Sequence, residues 1–201
     1  FFGVHMSSSD PNDIEEVDQV KRAFLQKTSV FLGAVGAAGI AVPLVSYLSP
    51  NKSTKEAGKP IKVDISAMQF GEQKTVLWRS KPVWIIRRSE AMLASLNMTT
   101  GWLEDPDSTV GQQPGYAQNQ MRSVRPDILV LLGICTHLGC SPTYRPEPKS
   151  VDDSWEGGFY CSCHGSKFDL AGRVFKNMPA PINLEVPPYH FQDGNTLVIG
   201  E

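Results

Sequence analysis

The segments CTHLGC (Cys135–Cys140) and CSCHGS (Cys161–Ser166) contain all four cysteines of the 201-residue chain. Each segment also holds a histidine close to a cysteine, and a glycine at which the backbone can turn tightly. The first segment follows an apolar run, residues 128–134, which predicts a loop at the end of a buried strand. Cysteines that only fill a core would not cluster in this way. The pattern therefore indicates a metal site, a disulfide or both.

Several kinds of site could use these residues. Two disulfides alone would leave His137 and His164 without a role, and a Cys–His nucleophile needs one reactive cysteine rather than four. Zinc would take two cysteines and two histidines and leave two cysteines over. An iron–sulfur cluster with a flanking disulfide uses all six residues. The spacing thus favours a metal site and leaves iron–sulfur and zinc both open.

The two segments resemble the paired boxes of the Rieske proteins of cytochrome bc complexes, C-T-H-L-G-C and C-x-C-H-G-S, and both boxes match in full. The resemblance also covers an N-terminal anchor, a linker and the segment Met178-Pro179-Ala180-Pro181. It is strongest to the bacterial iron–sulfur subunits of ubiquinol–cytochrome c reductase. It implies one [2Fe–2S] cluster in the chain.

The resemblance implies four cluster ligands, two for each iron: the thiolates of Cys135 and Cys161, and the imidazoles of His137 and His164. Imidazoles in place of two thiolates make electron uptake easier, as is established for Rieske centres. His164 is the residue that we expect to meet quinol and to take its proton. The remaining cysteines, Cys140 and Cys163, would form a disulfide that joins the two loops.

The resemblance also implies roles for residues around the cluster. Leu138 and Gly139 would form the exposed tip. Ser166 would donate a hydrogen bond to a bridging sulfide, which stabilises the reduced state. Pro179 would belong to a third loop that covers the cluster.

Residues 30–48 carry no charged side chain and form, as a helix, a rod about 28 Å long, enough to cross the hydrocarbon core of a membrane. Pro43 lies inside this span, where a kink is tolerated. The alternative is a cleaved signal peptide, but the stretch is long for a signal core and lacks a clear cleavage site. We therefore predict a transmembrane helix.

Residues 1–29 are predicted to form an N-terminal cytoplasmic segment. Asp10 and Pro11 are typical of a helix start, and the apolar residues from Ile14 to Phe24 could line one face of a short helix outside the membrane. Lys21-Arg22 resembles a twin-arginine export signal, which would leave the N-terminus inside and the head on the periplasmic side. An ordinary basic flank is the alternative. Met6 looks like a natural start, so we expect residues 1–5 not to be native.

Residues 49–60 are polar with a proline near each end, which is typical of a flexible neck. Residues 61–201 are long enough to form an independent domain. The predicted fold is mostly β: an antiparallel, β-sandwich-like head with a small cluster-binding subdomain whose loops span about residues 133–181.

Local patterns predict the elements of this head. Ser89 can cap a short helix at 90–96, and residues 99–125, rich in Gly, Pro, Gln and Asp, predict a long surface loop. Asp193-Gly194 predicts a hairpin turn. The predicted strands are 61–65, 75–78 and 83–86 around a turn at 79–82, then 128–134, 189–191 and 196–199.

The chain departs from many respiratory relatives at two places. Phe168 stands two residues after Ser166, where a tyrosine is common, so one hydrogen bond to a ligand sulfur is missing and a lower reduction potential is expected. The segment 145–158 makes the stretch between the two boxes longer than in many relatives. We expect it to form an enlarged loop.

The expected function is electron transfer from quinol to cytochrome c1 within a membrane quinol–cytochrome c oxidoreductase, a proton-translocating complex. The expected partners are the cytochrome b and cytochrome c1 subunits, quinol, membrane lipid and a second copy of a dimeric complex in the bacterial inner membrane. A net charge of −2 and the lack of a basic block argue against nucleic acid. The alternatives are a Rieske ferredoxin or oxygenase component, a subunit of a b6f-type complex, and an exported zinc-binding or disulfide-stapled interaction domain.

Overall fold

The computed structural model describes residues 18–49, 56 and 58–200. The chain divides into two compact units, Phe1–Asn51 and Lys52–Glu201. The prediction of a neck at 49–60 falls largely on residues outside the described ranges. The predicted helix start at Asp10 and the prediction about residues 1–5 lie outside them as well.

The described part of the first unit is a long helix, α1, which runs from Gln19 to Leu48. The side chain of Asp18 caps it by accepting hydrogen bonds from the backbone N–H groups of Val20 (3.0 Å) and Lys21 (3.2 Å). In the described part of the chain, this is the helix long and apolar enough to cross a membrane. The described residues of the predicted N-terminal helix, up to Phe24, are helical from Gln19 onward, but they do not form a separate short helix. They continue directly into the apolar span because nothing in the sequence between them breaks a helix.

The second unit, the head, is built mainly from short strands. In chain order, its described elements are β1 Ile61–Asp64, β2 Gln73–Trp78, β3 Lys81–Arg87, α2 Glu90–Thr99, β4 Ile128–Leu132, β5 Thr143–Arg145, β6 Gly158–Cys161, β7 Ser166–Phe168, β8 Tyr189–Phe191 and β9 Thr196–Ile199. The strands form three antiparallel sheets, in the orders β1-β9-β8, β2-β3-β4 and β5-β6-β7. The head is therefore mostly β and antiparallel, as predicted.

The central sheet supports the first cysteine segment. Its middle strand, β3, pairs with β2 and β4, and every residue of β4 is buried. The β2–β3 turn is tighter than predicted: Arg79 and Ser80 have φ values of 51° and 60°, and Pro82 already lies in β3 opposite Leu77. Two consecutive residues with positive φ match the twist of a hairpin, so two residues are enough to close it.

The turn at Asp193 confirms the predicted hairpin between β8 and β9. The Asp193 carboxylate accepts hydrogen bonds from the N–H groups of Asn195 (2.8 Å) and Thr196 (2.7 Å). The aspartate side chain thus stabilises the turn locally, as aspartate commonly does in such positions.

The predicted helix after Ser89 is also confirmed. Ser89 Oγ accepts a hydrogen bond from the Met92 N–H group (3.3 Å), and α2 continues to Thr99. The prediction that residues 99–125 form a surface loop is wrong in part, because Leu103, Ala117 and Arg122 are buried. Composition indicates that a segment lacks regular structure, but it does not show whether the rest of the fold covers that segment.

The small sheet β5-β6-β7 packs on the central sheet. The rings of Trp84 in β3 and Phe159 in β6 are stacked with centroids 5.2 Å apart. Both residues belong to one continuous buried cluster that also includes Cys135 and Cys161. The two cysteine segments are consequently held by the same core.

Candidate metal centre

The two cysteine segments adopt the same backbone turn. The first follows β4, and the second joins β6 to β7. The carbonyl of Cys135 accepts a hydrogen bond from the N–H group of Gly139 (3.0 Å), and the carbonyl of Cys161 accepts one from Gly165 (2.9 Å). Both glycines have positive φ values, 83° and 80°. Each loop thus closes on a glycine four residues after a cysteine, although the residues in between differ.

A disulfide between Cys140 and Cys163 joins the two loops, with Cα atoms 6.7 Å apart. The first loop is closed further by a hydrogen bond from the Cys135 N–H group to the Cys140 carbonyl (2.7 Å). The covalent bond therefore fixes the distance between the loops close to the two remaining cysteines.

Cys135 and Cys161 remain as free thiols, and each is only 2% exposed. Burial raises the pKa of the Cys135 thiol, and the adjacent Cys161 thiol raises it further. The Cys135 thiol therefore resists ionisation unless a cation balances the charge of its thiolate. This pair is therefore suited to metal binding rather than to the chemistry of a free thiolate.

The imidazoles of His137 and His164 lie beside one another, with ring centroids 4.6 Å apart and planes nearly perpendicular. His137 Nδ1 is buried and has no hydrogen-bond partner among the described residues. A buried ring nitrogen without a partner is costly, and a metal bond would satisfy it. His164, in contrast, is exposed.

The sulfur atoms of Cys140, Cys161 and Cys163 lie within 4.8 Å of one another. Since two of them are bonded to each other, only Cys161 of this group can act as a ligand. The donors available to a metal are consequently two thiols and two imidazoles, from Cys135, Cys161, His137 and His164. This donor set fits a Rieske-type [2Fe–2S] cluster, and it fits zinc equally well.

A third loop, residues 178–182, is tied to both of the others. Ser166 Oγ accepts a hydrogen bond from the Ala180 N–H group (3.0 Å), and Thr136 Oγ1 donates one to the Ile182 carbonyl (2.6 Å). Ser166 is fully buried, and its side chain also lies within hydrogen-bonding reach of the Cys135 thiol, a contact that favours the Cys135 thiolate. Pro179 lies exposed in this loop.

Leu138 and Gly139 lie exposed at the end of the first loop, and the Leu138 side chain is 72% exposed. A large apolar side chain in this position leaves a small hydrophobic surface next to the two histidines.

Sequence reasoning missed the residues that hold the loops together. Thr136 lies inside the first box, yet the sequence gives no sign that it bonds to Ile182, which is 46 positions away. Arg122 falls in the segment predicted to be a surface loop, but its side chain is fully buried. A polar residue inside a Gly- and Gln-rich stretch carries no local signal of burial.

Comparison with known proteins decides between iron–sulfur and zinc. Residues 109–188 match the family model "Rieske [2Fe-2S] domain", and residues 11–51 match "Ubiquitinol-cytochrome C reductase Fe-S subunit TAT signal". The ubiquinol–cytochrome c reductase iron-sulfur subunit of Allochromatium vinosum is 48% identical over 193 residues, which cover 95% of this chain and 93% of that relative. The chain belongs to this family of Rieske iron–sulfur subunits. Its cofactor is a [2Fe–2S] cluster.

Other relatives of this Rieske subunit are bacterial iron–sulfur subunits or mitochondrial Rieske subunits. The subunit of Blastochloris viridis is 37% identical, with 97% of this chain and 98% of that relative covered. "Cytochrome b-c1 complex subunit Rieske, mitochondrial" of Neurospora crassa is 33% identical, with 99% of this chain and 77% of that relative covered. A chain of the solved "Hyperthermophilic respiratory Complex III" is 25% identical, with a TM-score of 0.47 and with 84% of this chain and 98% of that chain covered.

Proposed function

We propose that this chain transfers electrons from a membrane quinol to cytochrome c1 through a cluster held by Cys135, Cys161, His137 and His164. The observation that carries the assignment of the ligands is that the paired loops hold two buried, adjacent thiols and two imidazoles whose ring centroids lie 4.6 Å apart. As an iron–sulfur subunit of ubiquinol–cytochrome c reductase, the chain is the electron-transfer part of an oxidoreductase complex. The finer steps below rest on the positions of its own residues.

The four ligand residues differ in their exposure to solvent. Cys135 and Cys161 lie in the core, His137 is half-buried, and His164 is exposed. When bound, the [2Fe–2S] cluster supplies a one-electron centre with a potential raised by its imidazole ligands. Ser166, whose side chain lies against the Cys135 thiol, is placed to donate a hydrogen bond to that ligand sulfur. Such a bond favours the reduced state.

His164 is positioned to receive the proton of the quinol. Its exposed ring can accept a hydrogen bond from a quinol hydroxyl at the nitrogen that does not face the loops, and then hold that proton. Leu138, exposed on the neighbouring loop, offers an apolar contact for a quinone ring or for the wall of its binding site. The proton would thus go to the His164 imidazole, and the electron would go to the cluster that His164 would hold.

This role of the histidines is tested by the pH dependence of the reduction potential, measured by voltammetry on the full chain in detergent. If an imidazole releases a proton when the site is oxidised, the potential falls by about 59 mV per pH unit above the histidine pKa. A His190→Gln variant, altered at an exposed histidine in β8, should keep this slope. A potential that stays constant from about pH 5 to about pH 11 would contradict proton transfer at His137 and His164.

Phe168 provides a test of how the surroundings set the potential. It is fully buried in β7, opposite Phe159 of β6, and it lacks the hydroxyl that a tyrosine would offer to a ligand sulfur. Phe168→Tyr is expected to raise the potential by about 40–60 mV, the equivalent of one hydrogen bond of about 1–1.5 kcal/mol. Phe175→Tyr, the same change at a partly buried ring beside Trp155, is the control. An unchanged or lower potential in the Phe168 variant would contradict this reasoning.

We further propose that α1 is a single-pass anchor in the bacterial inner membrane and that the head lies on the periplasmic side. The match of residues 11–51 to an export-signal model and the apolar character of α1 support this proposal. Residues 1–29 would be cytoplasmic, 30–48 membrane-spanning and 49–60 a neck that lets the head move between partners. Protease added to spheroplasts should then digest the head, and protection of the head until lysis would refute this orientation.

The relatives belong to cytochrome bc1 complexes, so cytochrome b and cytochrome c1 are the partner subunits. We propose that quinol docks on the cytochrome b side of the exposed loop tip, that lipid surrounds α1, and that the complex is dimeric. Sedimentation of the mildly solubilised complex would test the last point, because a mass equal to one copy of each subunit would exclude a dimer.

A further inference from the structure

Three arginine side chains are buried around the turn that follows β7, residues 169–174. The exposed fractions of Arg88, Arg122 and Arg173 are 1%, 0% and 0%. Arg173 forms an ion pair with the buried Asp169 at 2.7 Å. Arg122 makes no ion pair among the described residues, and it bonds instead to three backbone carbonyls and one amide side chain. Burying a guanidinium without a carboxylate is costly, so packing alone gives no reason for Arg122.

Arg122 links two segments that lead directly to the cluster loops. Its Nη1 donates hydrogen bonds to the carbonyls of Ala171 (3.2 Å) and Gly172 (3.3 Å), in the turn after β7. Its Nη2 donates to the carbonyl of Leu184 (2.6 Å), just after the third loop, and to Gln113 Oε1 (3.1 Å). One planar fork therefore holds both segments at a fixed separation.

The loops are joined again at their other end. Ala180 of the third loop donates to Ser166 at the start of β7, and Ile182 accepts from Thr136 of the first loop. A backbone hydrogen bond from the Leu184 N–H group to the Gly172 carbonyl (2.8 Å) runs parallel to the Arg122 contacts. These bonds connect β7 and the turn after it to the third loop at two places. Ser166 and Thr136 make the connection near the ligands, and Arg122 makes the connection farther from them.

The turn is shaped to admit the guanidinium. Gly172 has a φ of 74°, and a Cβ atom at this position would come within 2.8 Å of Leu131 Cδ1 and within 3.2 Å of Arg122 Nη1. Burial lowers the pKa of Arg122 to about 10, and Asp169 opposes this effect, so the side chain still carries its charge at neutral pH. Its two Nη groups therefore hold the clamp, while Nε is buried without a partner among the described residues.

We propose that Arg122 is a positioning residue for the [2Fe–2S] site, whose buried fork fixes the third loop over the ligand-bearing loops. The inference rests on the four-ligand site proposed above. The positioning role requires the forked geometry of the guanidinium, and not only its charge, because the side chain must bind two segments at once. Lysine, a point charge on a flexible stem, should therefore not replace it.

The test compares Arg122→Lys and Arg122→Gln with wild type, as full chains in detergent. Arg125→Gln is the matched control, since it removes one charge from a half-exposed pair with Asp127. In both Arg122 variants, amide hydrogen exchange in residues 178–184 and iron loss to a chelator should be at least about tenfold faster. The control should stay within about twofold of wild type, and the amides of β3 and β4 should exchange at unchanged rates in every variant.

Three outcomes would overturn the proposal: wild-type behaviour of both Arg122 variants, full rescue by lysine, or exchange that speeds up equally in β3 and β4. The last outcome would show a general loss of stability. If Arg122→Gln does not accumulate, the test rests on Arg122→Lys alone. That variant keeps the charge but lacks the fork, so its hydrogen exchange and iron loss should still be faster than in wild type. Wild-type protein without iron would refute the ligand site itself, which is a separate result.

Discussion

Cys161→Ala is expected to leave a folded chain without its cluster. Cys161 is buried between the two loops, and no other free thiol besides Cys135 lies in this site. With one thiolate ligand missing, the iron content should fall from about two atoms per chain to below about 0.2. The rhombic EPR signal of the reduced [2Fe–2S] centre and the electron transfer from quinol to cytochrome c should fall to background.

The neighbouring residue supplies the control for this experiment. Ser162→Ala also introduces an alanine, at an exposed position between a ligand cysteine and a disulfide cysteine. Its iron content and EPR signal should match those of wild type. A full EPR signal in the Cys161 variant would show that the assignment of this ligand is wrong.

Removing the disulfide is expected to give the second large effect. The Cys140–Cys163 bond closes a loop with a sequence separation of 23, for which the chain-entropy model gives about 3 kcal/mol of stabilisation. The double variant Cys140→Ser, Cys163→Ser should lose about this free energy of unfolding, measured by denaturant titration of the full chain. The bond also fixes the spacing of the two ligand loops, so the cluster should be lost faster to a chelator.

A single Cys140→Ser variant separates two causes of this effect. It lacks the disulfide but keeps one free thiol, so a difference between the single and double variants reports on thiol reactivity rather than on the missing cross-link. Equal stability of wild type and double variant, with equal iron retention, would contradict a structural role for the bond.

The parts of the fold that sequence predicted are those encoded by neighbouring residues. The Ser89 cap, the Asp193 turn and the apolar run of β4 each depend on contacts within a few positions. The paired boxes could be interpreted for the same reason, since each ligand loop is a short local turn. The resemblance of the boxes to a known family then supplied the choice of metal that spacing left open.

The parts that sequence did not predict depend on distant partners. Arg122 is buried because it binds carbonyls 49, 50 and 62 positions away, and nothing near it in the sequence indicates this. Because proline favours turns, the sequence predicts a turn at Pro82, yet this residue lies in β3 opposite Leu77. There the tight turn at Arg79 and Ser80 had already reversed the chain. In both cases tertiary structure overrode a local preference.

The glycines that close the two ligand loops are constrained by chirality and not by volume. A Cβ atom built on Gly139 or Gly165 would meet no other atom within 4 Å, whereas one on Gly158 would overlap the backbone of Phe168. An L-residue at either loop position therefore costs only the backbone penalty of a left-handed conformation, about 1–2 kcal/mol. Asparagine or aspartate, which tolerate that conformation, should cost less, and a D-alanine introduced by chemical ligation should fit without strain. What these loops require of the chain is a backbone step of the opposite hand.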